Sequence, residues 1–175
     1  YFDIRKDSLY CDAKESEKRK SCIIVLNIIL ESLLRWFAPI LSFTTEEIFT
    51  LINKDKKSIH LEKFINFPKS FENIKLSEKW IELKKIRDIC NVSIEAKRTS
   101  KEIGSSLEVS LIINLNKKLF EITKNIDFSE LCITSFAVTK ENELDEVNVA
   151  ATRAVGNKCP ICWKINNDKC ERHNS

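Results

Sequence analysis

Near the end of the chain Cys159, Cys162, Cys170 and His173 form two pairs, each with a two-residue gap, separated by seven residues that begin with Trp163. A Cys-x2-Cys turn puts two thiolates on one side of a tight loop, where they fill two corners of a tetrahedron at Zn–S distances of about 2.3 Å. Cys170-x2-His173 supplies the other two corners. This spacing predicts a zinc knuckle over residues 156–175 that folds through its metal. With four protein donors no coordination position is left for water, so the expected zinc is structural and not catalytic.

Disulfides are the competing reading of the same cysteines. The chain holds seven of them, an odd number, and Cys11, Cys22, Cys90 and Cys132 are scattered singly in apolar or helical surroundings, where cysteine acts as a small hydrophobe. A cytosolic chain rarely keeps disulfides, and zinc is the reading adopted.

The rest of the chain reads as mainly α. Only 2 Gly and 3 Pro occur in 175 residues, which favours long helices over a turn-rich β sandwich, and a hydrophobic share of 43% is enough for one or two domains with real cores. Lys and Arg exceed Asp and Glu by 29 − 26 = 3, a mild excess that permits a polyanionic partner without requiring one. The absence of Met and the start at Tyr1 suggest a piece of a longer protein. Residues 1–7 mix charge with apolar side chains and do not read as a signal peptide. The most apolar stretch, residues 22–34, is interrupted by Asn27, Glu31 and Ser32 and is stopped at Pro39, so it reads as a buried helix and not as a membrane span. The expectation is a cytoplasmic protein with no membrane partner.

Residues 21–38 are apolar nearly all round, with Glu31 and Arg35 as the main exposed i,i+4 pair, and read as the central helix of a bundle. Thr44-Thr-Glu-Glu47 has the form of a capping box and predicts a second helix from Thr45 through Ile48, Phe49 and Ile52. Residues 53–75 lose the period and read as a connection. Ser77 then reads as the N-cap of a long helix over residues 78–102, with Trp80, Leu83, Ile86, Cys90 and Ile94 on its apolar stripe and Gly104 as its C-terminal stop. The polar side of that helix carries Lys84, Lys85, Arg87, Lys97, Arg98 and Lys101 against Glu82, Asp88, Glu95 and Glu102. A solvated face laced with ion pairs is the first reading of it and a phosphate-contacting face the second. Beyond Gly104 the period falls to two: Leu107, Val109, Leu111 and Ile113 define one face of a strand, a short helix follows over 117–126, and residues 131–139 and 147–151 read as further strands. The expected layout is a helical region over 1–104, a small α/β unit over 105–155 and the knuckle over 156–175.

Four stretches taken in order resemble the C-terminal part of bacterial-type isoleucyl-tRNA synthetases, which are class I aminoacyl-tRNA synthetases. They are Tyr1-Phe-Asp-Ile-Arg-Lys-Asp-Ser-Leu-Tyr-Cys-Asp12, Ala38-Pro-Ile-Leu-Ser-Phe-Thr-Thr-Glu-Glu47, Ile103-Gly-Ser-Ser-Leu-Glu108 and the Cys159-x2-Cys162-Trp163 knuckle. The second stretch is shared with the valyl and leucyl relatives, and the knuckle after Gly-Ser-Ser-Leu-Glu narrows the resemblance to the isoleucyl family. The resemblance implies that the helices form an anticodon-binding bundle and that the zinc module helps to hold the anticodon arm of tRNA(Ile), in a longer enzyme that joins isoleucine to tRNA using ATP. Cys159, Cys162 and Cys170 match family cysteines, while His173 stands where the family usually has a fourth; His173 or a residue beyond Ser175 then completes the set. The family's ATP-handling signatures, His-Ile-Gly-His and Lys-Met-Ser-Lys-Ser, are not found in the chain, so no catalytic residue is assigned and ATP belongs to a catalytic domain outside it.

The candidate tRNA contacts are Lys97, Arg98 and Lys101 at the end of the long helix and Lys158, Lys164 and Arg172 in the knuckle. Trp163 is weighed between packing on its own module and stacking on a splayed base. No obligate protein partner is implied. The alternative of a different class is a free-standing zinc-containing nucleic-acid-binding module with no enzyme attached.

Overall fold

The computed structural model describes residues 1–55, 57–143 and 145–173. They form two compact units, one of residues 8–72 and one of residues 1–7 with residues 73 onward. The molecule is mainly helical, with a small sheet and a Cys/His cluster near the C-terminus.

The first unit is built on α2 (Glu17–Phe37) and α3 (Ser42–Ile52), followed by irregular chain with short 3-10 turns at Ile59–Leu61 and Lys69–Phe71. Its core is small: Leu34, Ala38, Phe49 and Ile59 are buried, with Leu30 and Ile48 packed against them. Arg35 and Glu31 do pair, but the pair is not the exposed one that the sequence suggests. The Arg35 side chain is only 9% exposed, and it binds Glu31, the Glu62 carboxylate at 3.1 Å and the Lys63 carbonyl at 3.0 Å. Burial opposes the Arg35 charge, and hydrogen bonds with the charges of Glu31 and Glu62 outweigh that and raise its pKa.

The capping box at Thr44 does not form. After α2 the Leu41 N–H returns to the Phe37 carbonyl at 2.7 Å, and α3 starts at once, with Leu41 as an N-cap that makes no side-chain bond. Thr45 therefore falls inside the first turn, where its hydroxyl donates to the Leu41 carbonyl at 2.9 Å. Local turn geometry at Pro39 decided the start, not the cap signature.

In the second unit α1 contributes residues 2–7 of its span Phe2–Cys11, and α4 (Ile74–Thr99) lies against a sheet. The sheet has the order β2-β1-β3, with β1 (Val109–Asn116) central, β2 (Phe136–Asn142) parallel to it and β3 (Asn148–Arg153) antiparallel. Along β1, Val109, Leu111, Ile113 and Leu115 are fully buried and alternate with half-buried residues, the period-two pattern of a strand with one covered face. Leu83, Ile86, Cys90 and Ile94 of α4 join them in one core with Phe128, Leu131 and Cys132. The long helix thus packs with the sheet, although its periodicity alone groups it with the helices before it. Trp80, placed on the apolar stripe by its spacing, is 40% exposed.

The helix ends differ from their sequence signals for identifiable reasons. α4 begins four residues earlier than Ser77 suggests, because the Asn73 side chain accepts from the Leu76 N–H at 3.0 Å. It ends before Gly104 in a Schellman turn, with the Lys101 N–H bonded to the Arg98 carbonyl at 3.0 Å and the Glu102 N–H to the Lys97 carbonyl at 3.1 Å. Lys101 takes the left-handed position at φ 59, where Gly is usual.

After α5 (Lys117–Thr123) comes a short helix, α6 (Phe128–Leu131), which ends on Leu131, the first residue of the stretch predicted as a strand. The Asp127 carboxylate accepts from the N–H groups of Ser129 at 2.9 Å and Glu130 at 3.2 Å, and this cap overrides the β preference of the residues that follow. Ile133, at φ 57, closes α6 with a second Schellman turn, and β2 starts three residues later.

Candidate metal centre

Residues 156–166 form a two-stranded hairpin of β4 (Asn157–Lys158) and β5 (Ile165–Asn166). Gly156 enters it at φ 135, and a Cβ at that position would lie 2.2 Å from the Asn166 carbonyl oxygen. Only a residue without a side chain lets the two strands close here. Inside the hairpin the Cys159 N–H donates to the Lys164 carbonyl at 2.9 Å, and the Trp163 N–H donates to the Cys159 carbonyl at 3.0 Å. Trp163 takes the left-handed conformation, φ 63, and this reversal brings Cys162 back beside Cys159. At the far end a turn with the His173 N–H on the Cys170 carbonyl, 3.1 Å, sets Cys170 and His173 on one side.

The four side chains converge. The ligating atoms of Cys159, Cys162, Cys170 and His173 all lie within 4.8 Å of one another, the three cysteines being buried and His173 half-buried. His173 Nδ1 is 3.4 Å from the sulfurs of both Cys159 and Cys170, and the Cys162 and Cys170 sulfurs are 3.9 Å apart. Four donors of this kind, this close, can hold one metal ion. Burial is the main cause that pushes the Cys162 thiol up, to about 11, so a metal must displace its proton to be bound.

Contacts outside the Cys/His cluster fix the hairpin to the sheet unit. The Ser135 hydroxyl, in the turn before β2, accepts from the Ile165 N–H at 2.6 Å and donates to the Leu107 carbonyl. Arg172 donates to the Asp7 carboxylate at 2.6 Å and ties the last turn to α1. Asp127 is held ionised below the usual range: burial opposes its charge, but bonds from Ser129, from the Glu130 and Ser129 N–H groups and the Lys164 charge prevail. Gly156, Ser135, Asp127 and Asp7 escaped sequence reasoning. Gly156 alone left a signal, being one of 2 Gly in the chain and standing three residues before Cys159.

The basic candidates occupy two places. Lys97 and Arg98 lie in the last turn of α4, Lys97 paired with Glu102 at 2.8 Å and Arg98 with Glu95 at 2.6 Å, while Lys101 is exposed in the turn that follows. Lys85 pairs with Glu82 at 2.8 Å on the same helix, so part of this face is laced with ion pairs. In the hairpin, Lys158 Nζ lies 5.9 Å from the Trp163 ring centre, and the ring itself is 60% exposed. Lys164 is half-buried, and Arg172 is engaged by Asp7.

A family described as the anticodon-binding domain of tRNA ligase matches residues 1–113, and the chain belongs to that family. An isoleucine–tRNA ligase of Pelagibacter ubique is 72% identical over 173 residues, 99% of this chain and 19% of the relative. Isoleucine–tRNA ligases of Bartonella quintana and Agrobacterium fabrum are 38% and 37% identical, each over 96% of this chain and 18% of their own length. The chain thus spans less than a fifth of the length of these curated relatives. Among the described residues no helix is long and apolar enough to cross a membrane.

Proposed function

We propose that this chain is the tRNA-recognising C-terminal region of a cytoplasmic isoleucine–tRNA ligase, an enzyme that as a whole joins isoleucine to tRNA(Ile) with ATP. The observation that carries the reading is the anticodon-binding family match over residues 1–113, continued across the remaining chain by likeness to isoleucine–tRNA ligases. On this reading residues 1–104 bind the anticodon arm, 105–155 support the knuckle, and 156–175 complete the tRNA surface. The adenylate and acyl-transfer chemistry belongs to other parts of the enzyme. The kinship with ligases speaks against a free-standing nucleic-acid-binding module.

The metal of the proposal is one structural zinc held by Cys159, Cys162, Cys170 and His173 through Nδ1. Three thiolates and an imidazole suit zinc, and usual bond lengths imply tetrahedral edges of about 3.8 Å between sulfurs and about 3.6 Å between sulfur and nitrogen. The separations of 3.9 Å and 3.4 Å support that donor set. All four positions are then filled by protein, so zinc shapes the hairpin and takes no part in a reaction.

Lys97, Arg98, Lys101, Lys158, Lys164 and Arg172 are the proposed phosphate contacts, with Trp163 offering an exposed ring to a base. The exposed ion pairs of Arg98 and Lys97 are weak, of order 0–1 kcal/mol, and yield readily to phosphate. The test is tRNA binding by the intact protein at several salt concentrations, for the parent and for a paired Arg98→Ala, Lys164→Ala variant. The parent should prefer tRNA(Ile) to an unrelated tRNA. Each lost contact should flatten the slope of log affinity against log salt by roughly 0.7 to 0.9. Equal binding of both tRNAs, with a slope that the substitutions leave alone, would overturn the reading.

A further inference from the structure

The first unit exposes two apolar surfaces of opposite electrostatic character. Around the α2–α3 turn Trp36, Ile40 and Phe43 are 54%, 74% and 92% exposed, but residues 36–52 contain no Lys or Arg and carry Glu46 and Glu47. The irregular chain that follows is different. Residues 53–72 hold five lysines against three acids, 5 − 3 = +2, and interleave them with Phe64, Phe67 and Phe71. Glu62, one of the acids, is bound to Arg35. Lys54, Lys57, Lys63 and Lys69 are exposed, and no ion pair engages them among the described residues.

Here Phe67 precedes Pro68 and Phe71 closes the turn Lys69–Phe71, with ring centres 6.3 Å apart and planes tilted by 36°. Together with Ile28, Ile65 and Asn66 they line an open, mostly apolar groove of about 380 Å³ that Glu31 also borders, its carboxylate bound by Arg35. The rings are 40% and 65% exposed. Aromatic faces on a segment that also carries exposed lysines suit an unpaired nucleotide: the base stacks and the lysines meet its phosphates. An apolar protein segment would have no use for the exposed lysines of residues 53–72, and the acid-flanked surface at Trp36 is a poor host for a polyanion.

We propose that this groove is a stacking site for an unpaired nucleotide of the bound RNA, with Phe67 and Phe71 as the platform and Lys63 and Lys69 at the adjoining phosphates. The proposal rests on the tRNA-binding reading above and adds a contact surface outside both the α4 terminus and the knuckle.

The test uses the intact protein and a tRNA(Ile) transcript. A Phe67→Ala, Phe71→Ala pair should lose about tenfold or more in affinity, and a Phe67→Tyr, Phe71→Tyr pair should restore most of it. A Lys63→Ala, Lys69→Ala pair, at exposed positions that do not threaten folding, should flatten the salt slope by about 0.7 per lysine if the phosphates there are single-stranded. Hydroxyl-radical footprinting should show both rings protected only when RNA is present. If the parent binds tRNA(Ile) while the lysine pair leaves the slope alone and the alanine pair, still folded, leaves affinity alone, this inference fails and the reading above survives. Rings already protected before RNA is added, and unchanged by it, would assign the groove to protein and overturn the inference. A parent that does not bind tRNA(Ile) removes the reading itself and this site with it.

Discussion

The sheet around β1 and the hairpin around Cys159 belong to the same compact unit, yet they are held in unlike ways. The sheet has a continuous apolar core drawn from α4, α6 and β1, with Leu111, Ile113 and Leu115 fully buried. In the hairpin and its final turn the buried side chains are Cys159, Cys162 and Cys170, the proposed metal ligands themselves. Hydrophobic burial is distributed over many residues and degrades by degrees. A metal site concentrates its stabilisation in one object, and loss of one donor removes most of it at once. Folding of the last segment should therefore respond to metal, while the sheet should not.

The largest expected effect follows from removing a donor. Cys159→Ser or Cys162→Ser takes a thiolate from a site whose binding free energy is on the order of 10 kcal/mol. Metal content should fall below stoichiometric, and amide protection should vanish beyond Gly156 while β1 stays protected. Hydrogen exchange read residue by residue separates the two. His173→Ala should weaken retention against a chelator, and His173→Cys should keep the metal. An alanine variant that holds zinc as tightly as the parent would mean another group completes the shell.

The reverse experiment strikes the core. Leu111→Ala or Ile113→Ala empties a fully buried position on the central strand and should cost about 2–5 kcal/mol in denaturant unfolding. Metal stoichiometry per folded molecule should be unchanged. Gly156→Ala acts on the hairpin without touching a donor, since its Cβ would meet the Asn166 carbonyl at 2.2 Å. Backbone strain of this kind is worth about 1–3 kcal/mol, so metal retention should weaken about tenfold with the sheet unaffected.

Asp127 links the regions through pH. Its folded pKa lies below the ordinary 3.8, so the stability it lends α6 is present above that value and is lost as pH falls through the lower, folded one. Asp127→Ala should cost about 1 kcal/mol at neutral pH, and the gap between variant and parent should close under acid. Thermal melts from pH 7 downward measure it. Lys101→Gly gives the smallest change: it relieves a left-handed residue by about 1 kcal/mol and raises stability. If Lys101 meets a phosphate, the same change should flatten the salt slope of tRNA binding, and stability and affinity would move in opposite directions.

The convergence of Cys159, Cys162, Cys170 and His173 was legible in the sequence because two-residue gaps encode proximity directly. β1 was legible through its period of two, and α2 as an apolar run, although Ile24 and Trp36 on it are exposed and not buried as that run suggests. Boundaries were lost where a short-range competitor existed: Asn73 against Ser77 as the cap of α4, Asp127 against the β-branched residues after it, and the Pro39 turn against the Thr44 signature. Lys101, Ile133 and Trp163 adopt positive φ without being Gly, so the usual marker of such turns is missing. Ser135 and Asp7 anchor the hairpin across 30 and 165 positions of sequence, and no local pattern encodes such a partner.

The central claim is that a metal-shaped C-terminal segment and the helical region act together on one tRNA. It is tested most directly by measuring the affinity of the intact protein for tRNA(Ile) and for an unrelated tRNA, first with zinc bound and again after chelation. The account predicts preference for tRNA(Ile) in the zinc-loaded protein, a loss of most of that preference on chelation with the sheet still folded, and its return when zinc is restored. Unchanged affinity and preference in protein verified to be free of metal would contradict it.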